Sequence, residues 1–370
     1  MVRPRQLTSY IHYIKIIQRS VIHLKVRPYL ITRSLIPENQ ETPIHFLRHA
    51  LFEDRYFFRR NHFPYPSTVH QSIMIGGLVQ SPLSLSLDQL KRMPSTTLTV
   101  PLECSGNQRA KFTPPAFGEQ WDSGAISQGN WTGVPLKDIL SLAKVHRKAK
   151  EVIFIGADAG TRNDMDGLFH YARSLPFHKA MHPDTIIAYE YNGSPLSFKH
   201  GFPFRLIVPQ WYAMASVKWL KYIIVTDQPF TGPFQSIDYV YYPHPNDDEG
   251  KMPVTTMNVN SLIQFPLPYS LHRAGTILVT GIAWTGEGVI QKVEVSVDNG
   301  KTWNRATLKR LKERYAWVQW EWRWKVYEKG EYTILAKATD SSGRTQPFTP
   351  MWNRKGYGYN AIQKVHIKIE

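Results

Sequence analysis

Cysteine is almost absent: Cys104 is the single thiol in 370 residues. One cysteine rules out an internal disulfide, a Cys-rich zinc site, a cysteine-ligated iron–sulfur cluster and the two-cysteine attachment of a c-type haem. Acidic residues are scarce, 29 against 45 Lys and Arg, which leaves a formal net charge of +16. Such a field attracts anions: small oxyanions, phosphorylated cofactors, nucleic acid or acidic proteins. Long apolar runs are missing too. The uncharged stretch between Lys251 and Arg273 is interrupted by Pro253, Pro266 and Pro268, so no transmembrane helix is expected. Residues 1–37 carry seven basic side chains and no acid. Ile11, Ile14, Ile17, Val21 and Leu24 have helical spacing there, but Lys15 and Arg19 break any signal-peptide core. A basic extension packed on the body is expected, in a cytoplasmic protein; peripheral contact with a membrane surface is the alternative.

What is present divides in two. Residues 38–250 mix short apolar runs with frequent Pro and Gly, and read as a mixed α+β domain. Leu87–Arg92 and Leu136–Ala143 read as helices; Thr96–Leu102, Glu151–Ile155 and Arg205–Val208 read as strands. Asn192-Gly193 marks a turn. The polar segment 244–256 reads as a linker. From 255 to 370 polar and apolar residues alternate, as in 292–297, 318–325 and 364–369. That texture predicts an all-β immunoglobulin-like sandwich.

Several motifs fail. Gly300-Lys301-Thr302 lacks the earlier glycine of a phosphate loop, since Val295 stands there, and Asp298-Asn299-Gly300 is read as a hairpin turn. No G-x-G-x-x-G opens a helix, no His-Glu-x-x-His occurs, and no nucleic-acid-binding motif is recognisable, so no nucleic-acid partner is expected. Three segments stand apart: Phe57-Phe58-Arg59-Arg60-Asn61-His62-Phe63-Pro64, Cys104-Ser105-Gly106-Asn107-Gln108-Arg109, and His200-Gly201-Phe202-Pro203-Phe204-Arg205, followed by Ser216-Val217-Lys218-Trp219. Each sets cationic side chains beside loop-forming residues. Together they suit one large anion with a soft thiolate ligand close by.

These segments, in this order, resemble the sulfite oxidase family of molybdopterin enzymes. The resemblance runs from about residue 40 to the C-terminus. It includes Trp121–Ser127, Trp131, Gly133, Pro135-Leu136, Gly281–Gly286 and the Asp298–Trp303 hairpin. It implies that Cys104 binds molybdenum in a Mo-molybdopterin cofactor. Asn61, His62, Asp158, His200, Arg205, Ser216, Val217 and Lys218 match positions that hold the pterin. Gly106 would let the backbone pass close to it. Arg60 and Arg109 match oxyanion-binding arginines, Trp121 a pocket-wall indole and Tyr239 an active-site phenol. Lys355 stands where sulfite oxidases carry arginine, which keeps the charge but loses the planar fork.

The implied activity is oxidation of sulfite to sulfate by oxygen-atom transfer. A homodimer paired through the C-terminal domain is implied. With no haem segment recognisable, the electron acceptor is expected to be a separate cytochrome or oxygen. Reduction of nitrate or a sulfoxide on the same fold, and a metal-free binding or redox-partner module, stay open as alternatives. Replacing Arg109 with Met is expected to raise KM for sulfite strongly while molybdenum stays bound. Unchanged kinetics would remove Arg109 from the site.

Overall fold

A computed structural model describes residues 30–48 and 53–370. The expected amphipathic helix lies outside the described residues. Strands dominate, and the helices are short: Leu87–Lys91, Leu136–Leu142, Phe177–Ala180 and Pro233–Ser236. The α+β expectation for the first domain is therefore corrected to a largely β architecture. Its Pro and Gly content cuts helices to one or two turns, and the apolar runs pair as strands instead.

The two expected helices do form. Ser86 caps the first, its hydroxyl accepting from Gln89 N while its own N–H donates to Gln89 Oε1. Leu136–Leu142 buries Leu136, Ile139 and Leu140. The three expected strands extend over Thr96–Glu103, Glu151–Gly160 and Arg205–Ile207. Asn192 and Gly193 both adopt positive φ, which lets Ile186–Tyr191 turn back into Ser194–Pro195.

Two five-stranded sheets build the first domain. One runs Ser194–Pro195, Ile186–Tyr191, Ile126–Pro135, Thr96–Glu103, with Arg205–Ile207 added to Ile186–Tyr191. The other runs Leu83–Ser86, Ser72–Gly77, Leu220–Thr226, Glu151–Gly160, Phe169–Pro176. All pairings are antiparallel except Leu220–Thr226 on Ser72–Gly77. Cys104 directly follows Thr96–Glu103, where the chain leaves its sheet.

The second domain stacks a four-stranded sheet and a five-stranded sheet. Val279, Trp320, Val293, Ala336 and Val365 lie in the buried core of this domain. Alternation along Val318–Val326 is met at all but one position: Val318, Trp320, Trp324 and Val326 are buried, while Trp322 is only partly so. Asn299 and Gly300 take positive φ, and the Asp298 carboxylate accepts from Thr302 N and Oγ1, so this is the expected hairpin turn.

Two expected boundaries shift. Ile31–Leu35 pairs with Glu38–Glu41, so residue 37 falls in a hairpin turn rather than at a domain edge. The linker is tied down along its length, with Arg354 bonding Pro245 O and the Asp248 carboxylate in its first half. Met252–Pro253 pairs with Val240–Tyr241, Val254 is fully buried, and Met257 N donates to Gln210 O. The domains share a core: Val254, Met257, Leu262, Ile282, Trp284, Trp317 and Tyr357 pack into the first domain's cluster. Trp284 Nε1 donates to Glu103 Oε2 at 2.8 Å, beside Cys104. No helix among the described residues is long and apolar enough to cross a membrane.

Trp284→Phe strands Glu103 Oε2 without its donor in this buried seam. Leaving a buried acceptor unpaired costs about 1–3 kcal/mol. The expected result is a lower thermal midpoint, measured by scanning calorimetry.

Candidate active site

Cys104 sits where two spaces meet. An inner cavity with 630 Å³ of empty volume and an outer vestibule with 1240 Å³ both touch Arg60, His62, Cys104 and Tyr239. The loop after Thr96–Glu103 is tight. Asn107 N donates to Cys104 O at 2.8 Å and Arg109 N to Gly106 O at 3.0 Å, with Gln108 in the left-handed region. The Asn107 side chain ties this loop down, accepting from Ala125 N and donating to Glu103 Oε1. The thiol is 6% exposed. Burial pushes its pKa up, while Arg60 and Arg109 pull it down.

The inner cavity is lined by Asn61, Asp158, His200, Arg205, Ser216 and Lys218, all expected at the cofactor. Ser105, Arg59, Tyr171 and Met214 also line it and were not expected. Ser105 and Arg59 lie inside the quoted motifs, beside Cys104 and Arg60, and were within reach; Tyr171 and Met214 carry no local signal. His200 is oriented from behind: Nδ1 lies 2.7 Å from Asp54 Oδ1 and 3.0 Å from Ser197 Oγ. Burial works to raise the Asp54 pKa, but its bonds to His200 and Ser197 outweigh this and hold it below the ordinary value. Burial lowers the His200 pKa despite Asp54. Nδ1–H is thus the donor to Asp54, and Nε2 is left as an acceptor.

Polar atoms here lack partners. His200 Nε2, Arg205 Nε and Ser105 Oγ are buried without a hydrogen bond. Native proteins leave few such groups, and a cavity lined by several fits a ligand rich in hydrogen-bonding atoms. The charges agree. Lys218 bonds only Arg60 O and Asn61 Oδ1, and Arg205 Nη1 donates to His200 O while its guanidinium lies over Trp131. Neither forms an ion pair among the described residues. Burial pushes Arg205 down to about 9, leaving it charged at neutral pH. Burial and Arg205 push Lys218 well down, and burial pushes Asp158 up. An anionic group in the cavity would relieve the strain on both cations.

Two expectations are corrected here. Val217 is in the core; its N donates to Ala215 O and its O accepts from Leu206 N, so it offers nothing to the cavity. Trp121 is fully buried in the apolar cluster around Cys104, with Phe57, Phe58 and Trp131, and lines neither space. An indole at that position supports the thiol's packing rather than forming a pocket wall.

The vestibule gathers Arg60, Arg109, His62, Tyr239 and Lys355, as expected, with Arg162, Asp238, Glu119 and Tyr357 added. Arg109 is held by backbone acceptors alone: Nε to Lys355 O at 2.9 Å and Gly356 O at 3.2 Å, Nη1 to Glu119 O at 2.9 Å. Three glycines make its slot. A Cβ on Gly106 would lie 2.5 Å from Arg109 Nη2, one on Gly118 2.8 Å from Nη1, and one on Gly356 2.8 Å from Cγ. Gly106 is therefore needed for the arginine. Arg60 bonds Asn39 Oδ1 and Asn61 O, and its Nη2 lies 3.3 Å from the His62 ring nitrogens.

His62 Nε2 is 2.6 Å from Tyr239 OH. Burial, then Arg60 and Arg162, hold the imidazole well below its ordinary pKa, so it is neutral. Burial raises Tyr239, so its phenol stays protonated and can donate. Tyr239 has φ +56 and stacks on Tyr357 at 5.4 Å between centroids, which points its hydroxyl into the vestibule. Lys355 Nζ pairs with Asp238 Oδ1 at 2.6 Å. Arg354 instead turns away to Asp248, so it does not stand in for the missing arginine.

Comparison with known proteins accounts for this arrangement. Residues 62–234 match the family described as oxidoreductase molybdopterin binding domain, and 251–370 match the Mo-co oxidoreductase dimerisation domain. Mitochondrial sulfite oxidase of Rattus norvegicus is 33% identical over 92% of this chain and 66% of its own length. Sulfite oxidase of Arabidopsis thaliana is 31% identical over 85% of this chain and 87% of its own length.

The chain belongs to the sulfite oxidase family.

Among solved structures, the sulfane dehydrogenase SoxCD of Paracoccus pantotrophus superposes with a TM-score of 0.80 at 28% identity, covering 93% of this chain and 89% of its own. The chain spans 66% of the length of the rat enzyme.

Gly106→Ala is expected to push the Arg109 guanidinium from its slot while the backbone stays in place. Sulfate should then bind at least about tenfold more weakly, as loss of a charged hydrogen-bond partner predicts. Isothermal titration with sulfate checks this, with the thermal midpoint as the control for folding.

Proposed function

We propose that this protein oxidises sulfite to sulfate. Sulfite gains one oxygen from water and releases two protons to solvent and two electrons, which pass to a separate acceptor, a cytochrome or oxygen. The observation that carries the reading is the unpaired positive charge of Arg60 and Arg109 beside Cys104. Neither guanidinium meets a carboxylate among the described residues, and both face a vestibule that reaches the thiol.

The residues present fit the cofactor. Cys104 would supply the thiolate for molybdenum. Lys218, Arg205 and the free His200 Nε2 would hold the phosphate and polar atoms of the pterin, with Asn61, Asp158, Ser105 and Ser216 on the walls of the same cavity. When bound, the molybdenum centre supplies the oxygen-transfer and two-electron chemistry.

Everything else falls to side chains. Arg60 and Arg109 bind the oxyanion and fix its orientation toward Cys104, and their preorganised charge offsets its desolvation. Backbone acceptors fix the Arg109 stem from three sides, so little entropy is lost on binding. Tyr239 donates from its phenol to a substrate oxygen, while neutral His62, with Nε2–H donating to the phenol oxygen, fixes the hydroxyl's direction.

The second domain completes the site with Lys355 and Tyr357. We read its sandwich as immunoglobulin-like and as the pairing surface of a homodimer. Its match to a dimerisation domain supports this, as do exposed Tyr269 (81%) and Leu271 (62%).

Protein made in a host that synthesises molybdopterin should carry near one molybdenum per chain and reduce a dye with sulfite. Cys104→Ser should abolish that activity. Well-folded native protein with no molybdenum would favour a metal-free binding module. Metal without sulfite oxidation, but with nitrate or sulfoxide reduction, would reverse the direction of oxygen transfer.

A further inference from the structure

The vestibule has two tiers of charge. The inner tier, Arg60 and Arg109, forms no ion pair among the described residues. The outer tier is already neutral. Arg162 meets Asp164 through Nε at 2.9 Å and Nη2 at 2.7 Å, and meets Asp238 Oδ2 through Nη1 at 2.6 Å. The other Asp238 oxygen takes Lys355 Nζ at 2.6 Å. Two cations face two carboxylates. Asp238 and Arg162 are mostly buried, at 15% and 10% side-chain exposure. Their attraction is therefore screened less than that of a surface pair.

Three separate parts of the chain converge here. Arg162 follows the strand Glu151–Gly160, Asp238 precedes Tyr239, and Lys355 comes from the second domain. Arg162 is committed by geometry: all three of its outward nitrogens are bonded to carboxylates. Lys355 is not. Its ammonium has three donors on a flexible stem, and one carboxylate oxygen is its only ion-pair partner among the described residues. An arginine at 355 would meet Asp238 with a rigid fork and could hold it and a ligand at once; a single ammonium is divided between them.

From this geometry we propose that Asp238 is a specificity-determining residue: a built-in anion that competes with the oxyanion for Lys355. It occupies Lys355 in the free protein, so that affinity for a dianion is set chiefly by Arg60 and Arg109. The competition weakens retention of a dianionic product, and it discriminates against ligands too weakly charged to win the ammonium from a carboxylate. The inference rests on the oxyanion reading of the vestibule.

The test is a double-mutant cycle with inorganic sulfate as the probe, titrated calorimetrically into cofactor-loaded protein. Asp238→Asn keeps the shape and removes the charge. Release of the Lys355 ammonium to the ligand adds one charge-assisted hydrogen bond and should tighten sulfate binding about five- to tenfold. In a Lys355→Met background the same change should alter binding less than about twofold. Lys355→Met alone should weaken sulfate only slightly, because its ammonium is already engaged; this arm stands even where Asp238→Asn folds poorly.

Weaker or unchanged binding in Asp238→Asn overturns the proposal. So does a full gain that survives in Lys355→Met, since Asp238 would then act as a general field and not through the ammonium. A large loss in Lys355→Met alone overturns it as well. Sulfite turnover measured in parallel separates the two readings. Normal turnover by the native protein without the sulfate effect sinks this inference alone; no turnover sinks the activity, and the sulfate titration still decides the competition.

Discussion

A guanidinium or ammonium taken out of water loses several kcal/mol of hydration unless an opposite charge replaces it. This chain accepts that loss for Arg60, Arg109, Arg205 and Lys218 around one connected space, and supplies none of them with an ion pair among the described residues. Such an arrangement persists only because surrounding bonds hold it. Arg205 leans on the Trp131 face, Arg109 on the Tyr357 face, and each takes backbone carbonyls as acceptors. The stabilisation withheld by the fold is returned by whatever anion enters. An inner anion relieves Arg205 and Lys218, and an outer one relieves Arg60 and Arg109. Cys104 stands between the two, which suits a metal joined to a bound cofactor on one side and open to substrate on the other.

The rest of the architecture serves that charge. The Asn107 side chain links Ala125 N to Glu103, and Glu103 takes the indole N–H of Trp284 from the second domain. Gly358 N donates to Ser105 O from the same direction, at 2.7 Å. The loop bearing the thiol is thus clamped from both domains. Arg109 depends on the second domain more directly, because two of its acceptors are Lys355 O and Gly356 O. A site built this way cannot form in the first domain alone. It also explains why the polar segment after residue 244 does not behave as a free tether: a floating second domain would leave Arg109 unheld.

What could be read from the residues follows from how local each feature is. Cys104, Arg109, Asn61, His62, His200 and Arg205 lie in short motifs whose spacing survives in one dimension. The turn at Asn192-Gly193 and the helix capped by Ser86 are equally local. Lys355 and Tyr239 were reached only through family resemblance, since nothing nearby signals a site. Arg162 escaped notice because an arginine in a polar loop after a strand looks like any solvated charge; only folding places it against Asp238. Trp121 and Val217 failed for the opposite reason: they sit inside good motifs, but their side chains pack behind the loop, and sequence adjacency says nothing about which way a residue faces.

Lysine at 355 is best understood through its partner. At a bidentate site, Arg to Lys is a loss of fork and of direction. Here the chain has a second guanidinium, Arg162, already filling Asp238's other oxygen. With that oxygen taken, only a single-point contact is open at Asp238, and an ammonium makes it at 2.6 Å without the planar constraint. The substitution and the Arg162–Asp164 clamp are therefore one arrangement. The clamp fixes Asp238, Asp238 fixes the resting place of Lys355, and the two arginines that remain uncommitted are the ones nearest the thiol. The charge that a substrate meets grows with depth, neutral at the mouth and positive beside Cys104, so an anion is drawn inward rather than held at the entrance.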